Sequence, residues 1–111
     1  MDEPIMVLLT AANRAEASRL AEMLVGSRLA ACVQILPRVE SIYYWSGAVQ
    51  RDEEILLFAK SVRGNFARLE QEIRALHSYE TPEIIAFPLA ECSAPYLQWL
   101  RDMTAQTKRD Q

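Results

Sequence analysis

Two long extended stretches joined by Ser46-Gly47 constrain this chain more than any other feature. Upstream run Ile42, Tyr43, Tyr44 and Trp45; downstream, residues 49–62 centre on Ile55-Leu56-Leu57-Phe58. Ser46-Gly47 reads as the two-residue turn of a hairpin. With Trp45 facing Ala48, counting back sets Leu36 opposite Leu57, so apolar blocks meet; a bulge at Pro37 would shift that register. A strand of about a dozen residues spans roughly 40 Å. A domain of 111 residues has a radius of gyration of only about 13 Å. The hairpin from about Arg38 to Val62 therefore either folds back at Pro37 or protrudes and is covered by another subunit. Each large apolar side chain so covered contributes about 1.5–3 kcal/mol, which favours assembly. Closed symmetry is the usual outcome, but pattern alone does not set the number of subunits.

The remaining elements follow from local signals. Ile5 to Leu9 is a continuous apolar run, expected to be a central strand buried on both faces. Asn13 opens a helix with Glu16 in capping-box register, and Ala17, Leu20, Leu24 and Leu29 follow near helical spacing. Cys32 to Leu36 begins the next strand. Asn65 is expected to cap a second helix with Phe66, Leu69, Ile73 and Leu76 on one stripe. Ile84 to Phe87 reads as the last strand, with Pro88 at its exposed end. Ser93 and Pro95 open a third helix with Leu97, Leu100 and Met103 facing inward. The order β-α-β-β-α-β plus a C-terminal helix predicts an α/β (α+β) ferredoxin-like split βαβ sandwich, with helices on one face of an antiparallel sheet. Residues 1–111 read as a single domain, with 104–111 as a polar, fraying tail.

Charge and motifs exclude several function classes. The net charge is −3 and the twelve Lys and Arg residues are scattered, without the basic footprint that nucleic acid requires. No stretch approaches the ~20 apolar residues of a membrane span. The acidic start Met1-Asp2-Glu3-Pro4 is unlike a signal peptide, which points to the cytoplasm. GxSxG, GxxxxGK[ST] and HExxH are all lacking, and His77 is the sole histidine, so an enzyme is not expected. The chemistry-bearing stretch is His77-Ser78-Tyr79-Glu80-Thr81-Pro82-Glu83. Imidazole suits copper or zinc and the carboxylates could complete a site; the plainer reading makes His77 a cation at the negative end of the preceding helix. Cys32, in an apolar strand, reads as a small buried hydrophobe or a soft ligand. Cys92 reads as packing or an incidental loop thiol, and Asp52-Glu53-Glu54 as a solvated charge run that, repeated around a trimer, could weakly attract cations.

Several segments together resemble the CutA divalent-cation tolerance family: Ala30-Ala31-Cys32-Val33, Ser41-Ile42-Tyr43-Tyr44-Trp45-Ser46-Gly47, Glu54 to Lys60, His77 to Ile85, and Tyr96-Leu97-Gln98-Trp99-Leu100. The resemblance implies a non-catalytic homotrimer of ferredoxin-like subunits with hairpins wrapping the interfaces. It implies a response to metal ions, with copper or a similar divalent metal as ligand and no organic cofactor. It implies metal contacts at Cys32, His77 and Glu80, and an intersubunit cleft lined by Tyr43, Trp45, Lys60, Tyr79 and Glu83. Two positions depart from the family pattern: Gln34 stands where Asn is common, and Ser78 where Pro is common. The other reading open at this point is a trimeric regulatory scaffold that senses a small metabolite or anchors a partner protein through those clefts.

Overall fold

The computed structural model describes residues 2–106. Strand β1 (Pro4–Ala11) leads into helix α1 (Arg14–Gly26), and β2 (Cys32–Trp45) turns back into β3 (Ala48–Val62). A 3-10 turn (Arg63–Asn65) precedes α2 (Phe66–Leu76), followed by β4 (Ile84–Pro88) and α3 (Ala94–Thr104). The sheet order is β2-β3-β1-β4 and every pairing is antiparallel. Strand β3 thus slots between β1 and β2, which is the split βαβ arrangement the element order predicts.

Alternation along the strands divides the sheet into two faces. Ile5, Val7 and Leu9 of β1 and Leu57 and Ala59 of β3 point to one side, where they form the core with Leu20 and Leu24 of α1 and Leu69 and Ile73 of α2. Met6 and Leu8 point to the other side and stay half-exposed. The expectation of a strand buried on both faces therefore fails: α1 and α2 cover one face, and Met6 and Leu8 on the other are only half-covered. On α2, Leu69 and Ile73 are buried, but Leu76 is exposed at the helix end. Helix α3 packs on β3 and β1, with Leu100 inward and Met103 exposed. Its C-terminal end is tied down by Arg28 Nη2 donating to Asp102 O at 2.6 Å and Asn65 Nδ2 to Thr104 O at 3.2 Å. Thr104, expected to begin the fraying tail, is instead helical and buried; residues 107–111 of that expected tail lie outside the described residues.

Three local details differ from the sequence reading. Leu36 pairs with Leu56, and Val39 with Glu54, because Pro37 and Arg38 together oppose Ile55 as a bulge. Proline has no N–H for the ladder, so an edge-strand bulge relieves it. Asn65 does not cap α2 with its side chain; the preceding 3-10 turn already leads the chain into helical geometry, and the amide serves α3 instead. Asn13 does cap α1, accepting from Glu16 N at 2.9 Å, yet Glu16 reaches back to the N–H of Ala12 at 2.9 Å and not to Asn13. The hairpin turn has φ of 53° at Ser46 and 79° at Gly47, the left-handed pair that two-residue hairpin loops demand. Among the described residues no helix is long and apolar enough to cross a membrane.

Candidate functional site

Strand β1 stops at Ala11, opposite Ile55, while β2 and β3 run on to Trp45 and Ala48. The hairpin thus projects past the rest of the sheet, and the chain is elongated, 46 × 30 × 22 Å. The segment from His77 to Glu83 crosses the end of β1 and lies beside the hairpin. Between them opens a cleft of about 780 Å³, with Thr10 at its base, Ser41, Tyr43, Trp45, Asp52 and Glu54 on the hairpin side, and Tyr79, Glu80, Thr81 and Glu83 on the loop side.

The loop is held by a buried polar network. His77 Nε2 lies 2.7 Å from Thr10 O, and His77 Nδ1 accepts from Tyr79 N–H at 3.0 Å. A carbonyl only accepts and an amide N–H only donates, so the ring is the neutral Nε2–H tautomer. Its side chain is fully buried. Glu16, also buried, accepts from Ala12 N–H and, at 2.6 Å, from Ser78 N–H. Burial alone would raise the Glu16 carboxyl; hydrogen bonds from the Ala12 backbone and from the side chain and backbone of Ser78, beside the His77 ring, outweigh it and hold it below the ordinary carboxylate range. From the loop, the Tyr79 hydroxyl donates to Glu54 Oε2 at 2.9 Å, and Ser41 Oγ donates to Glu54 Oε1 at 2.6 Å. Burial, then the bond to Glu54, pushes the Tyr79 phenol far up. At the hairpin the Tyr43 hydroxyl donates to Asp52.

The structure brings together some of the expected site residues and not others. Tyr43, Trp45, Tyr79, Glu80 and Glu83 line the one cleft. Lys60 does not: it pairs with Met6 and Cys32 at the far end of the sheet, where its ammonium donates to Gln34. Cys32 sits at that same end, four ladder positions from the level of Thr10, or roughly 13 Å along the strand. Cys32, His77 and Glu80 therefore do not converge within one chain, and no group of three His, Cys, Asp or Glu among the described residues could hold a metal. Both nitrogens of His77 are engaged, so it is neither a helix-capping cation nor a free ligand. Cys32 and Cys92 are free, half-buried thiols. The Tyr96 phenol is raised by burial and by both of them. Sequence reading missed Glu16, Asp52 and Glu54 as site residues. Glu16 announced itself only as a capping-box acid, and the other two as a solvated charge run.

A family profile described as CutA1 divalent ion tolerance protein matches residues 5–103. The divalent-cation tolerance protein CutA of Thermus thermophilus is 46% identical over 99 residues, 89% of this chain and 96% of that one. The chloroplastic protein CutA 1 of Oryza sativa is 39% identical over 103 residues, 93% of this chain and 58% of the relative. The chain spans just over half the length of that protein and of the Arabidopsis thaliana and human relatives. A crystal structure of CutA1 from Oryza sativa superposes with a TM-score of 0.92 at 38% identity, over 96% of this chain and 97% of that one.

Proposed function

The chain belongs to the CutA1 divalent ion tolerance family, and on that footing we propose that it serves metal tolerance as a non-catalytic, cytoplasmic homotrimer that takes up divalent ions, copper among them, where its subunits meet. The observation that carries this reading is an uncovered apolar hairpin standing beside an acidic cleft. Tyr44 and Val49, on the hairpin but outside the cleft lining, are 72% and 65% exposed in the single chain, which calls for cover by another copy. Asp52, Glu54, Glu80 and Glu83 bring negative charge to the same place, and oxygen donors suit divalent cations. Because Cys32, His77 and Glu80 do not fit one metal within a chain, the donors must come from two subunits. With the His77 ring engaged, the weight falls on Glu80, the neighbouring carboxylates and Cys32.

The test is an equilibrium titration of the reduced full chain with Cu(I), Cu(II) and Zn(II), with native mass taken on the same sample. We expect a trimer mass, metal binding weakened by Glu80→Gln with Glu83→Gln, and binding retained in His77→Gln. A monomer mass, or affinity indifferent to the carboxylates, overturns the reading. A second reading, a regulatory scaffold that senses a small metabolite, is favoured by the cleft volume of about 780 Å³, which falls among small-molecule sites.

A further inference from the structure

We propose that the cleft beside the hairpin binds an aliphatic diamine or polyamine. The inference rests on the reading of that cleft as a small-molecule site and names the class of molecule. A concave space of about 780 Å³ is far larger than an ion and ample for a chain of a dozen heavy atoms. One wall is aromatic, from Tyr43 and Trp45; the charged lining groups are Asp52, Glu54, Glu80 and Glu83, and no Lys, Arg or His lines it. The lining hydroxyls of Tyr43, Ser41 and Tyr79 are turned onto Asp52 and Glu54, so three lining donors face away from a ligand and four carboxylates dominate the cleft beside the hydroxyls of Thr10 and Thr81 and the Trp45 indole N–H. Among the described residues none of the four carboxylates is in an ion pair. This excess of negative charge fits an occupant that is a cation and a hydrogen-bond donor.

Spacing separates an organic cation from a metal. A divalent ion needs oxygens converging at about 2.0–2.6 Å, and no three acidic, His or Cys side chains among the described residues converge so closely. Ammonium groups need no convergence: each meets one carboxylate at about 2.7–2.9 Å, and methylene spacers carry the next charge to the next acid. The ring faces of Tyr43 and Trp45 suit both parts of such a molecule, through cation–π attraction to the ammonium and apolar contact with the methylenes.

The experiment is calorimetric titration of the full chain with spermidine, 1,4-diaminobutane and n-butylamine at physiological salt, beside the metal titration above. We expect saturable spermidine binding and at least tenfold weaker binding of n-butylamine, which keeps the methylenes and loses a charge. Trp45→Ala should weaken spermidine about threefold, and Glu80→Gln with Glu83→Gln about tenfold; all three side chains are exposed, so the fold is spared. No saturable binding, equal binding of the monoamine, or affinities unchanged in both variants overturns the proposal. Metal binding that persists while spermidine fails sinks the amine site alone. Spermidine binding without metal binding upholds it and removes the metal reading.

Discussion

The lower and upper halves of one hairpin obey the same pairing rule and end in opposite surroundings. Below the bulge, Leu57 and Ala59 of β3 are fully buried, and Val33 and Ile35 of β2 pack onto the same core. Above it, Tyr44, Trp45 and Val49 are 72%, 66% and 65% exposed, although the register continues unbroken to Trp45 and Ala48. Backbone pairing therefore does not decide burial. What decides it is whether β1 and the helices lie alongside, and β1 ends at Ala11. The lower half is stabilised by packing; the upper half has pairing alone, which is marginal for two strands in water.

Substitutions on either side of the bulge should separate these two regimes. Leu57→Ala, in the fully buried half, should cost about 2–5 kcal/mol in denaturant unfolding; a cost below half of that would show the lower half to be less well packed than its burial implies. Glu16→Ala leaves the N–H groups of Ala12 and Ser78 without their acceptor and should cost about 1–3 kcal/mol, and it should loosen the loop beside the hairpin. The pH dependence sharpens the point. Because folding holds Glu16 below the ordinary value of 4.5, its contribution is present at neutral pH and is lost as pH falls from that value towards the lower folded one. Stability curves of wild type and Glu16→Gln should therefore converge in acid. Gly47→Ala, at φ 79°, should cost about 1 kcal/mol, read as a shift in the midpoint of unfolding. Tyr44→Ala should change the chain's own folding by under about 0.5 kcal/mol while lowering the fraction of the proposed trimer in native mass spectra. A large loss of monomer stability there would break the comparison.

What was legible in the sequence was local. The strand and helix order, the Asn13 cap and the Ser46-Gly47 turn depend on residues a few positions apart, and the antiparallel split βαβ sheet follows from their order. The bulge was visible only as an option, since Pro37 tells that the ladder is interrupted and not how many residues absorb the interruption. His77 shows the limit most clearly. Its type suggests charge or metal, yet its state is set by Thr10 O, contributed from 67 positions away, and by the turn that returns Tyr79 N–H to it. Asp52 and Glu54 looked like solvated charges because nothing nearby in the sequence reveals that Tyr79 will reach across to Glu54. Side chains whose partners are remote carry no local signature, and the cleft is built almost entirely of such pairs.

Where β1 gives out at Ala11 opposite Ile55, Pro37 and Arg38 interrupt the pairing on the other side of that same residue. The hairpin is, in mechanical terms, a cantilever whose clamp and whose joint coincide. Bulges bend and twist the strand that holds them, so the heading of the whole overhanging ribbon is set at two residues that are exposed to solvent. A change of a few degrees at that joint is multiplied by the length of the arm before it reaches Trp45. The aim of the tip can thus be altered by substitution at Pro37 or Arg38 without disturbing a single buried side chain.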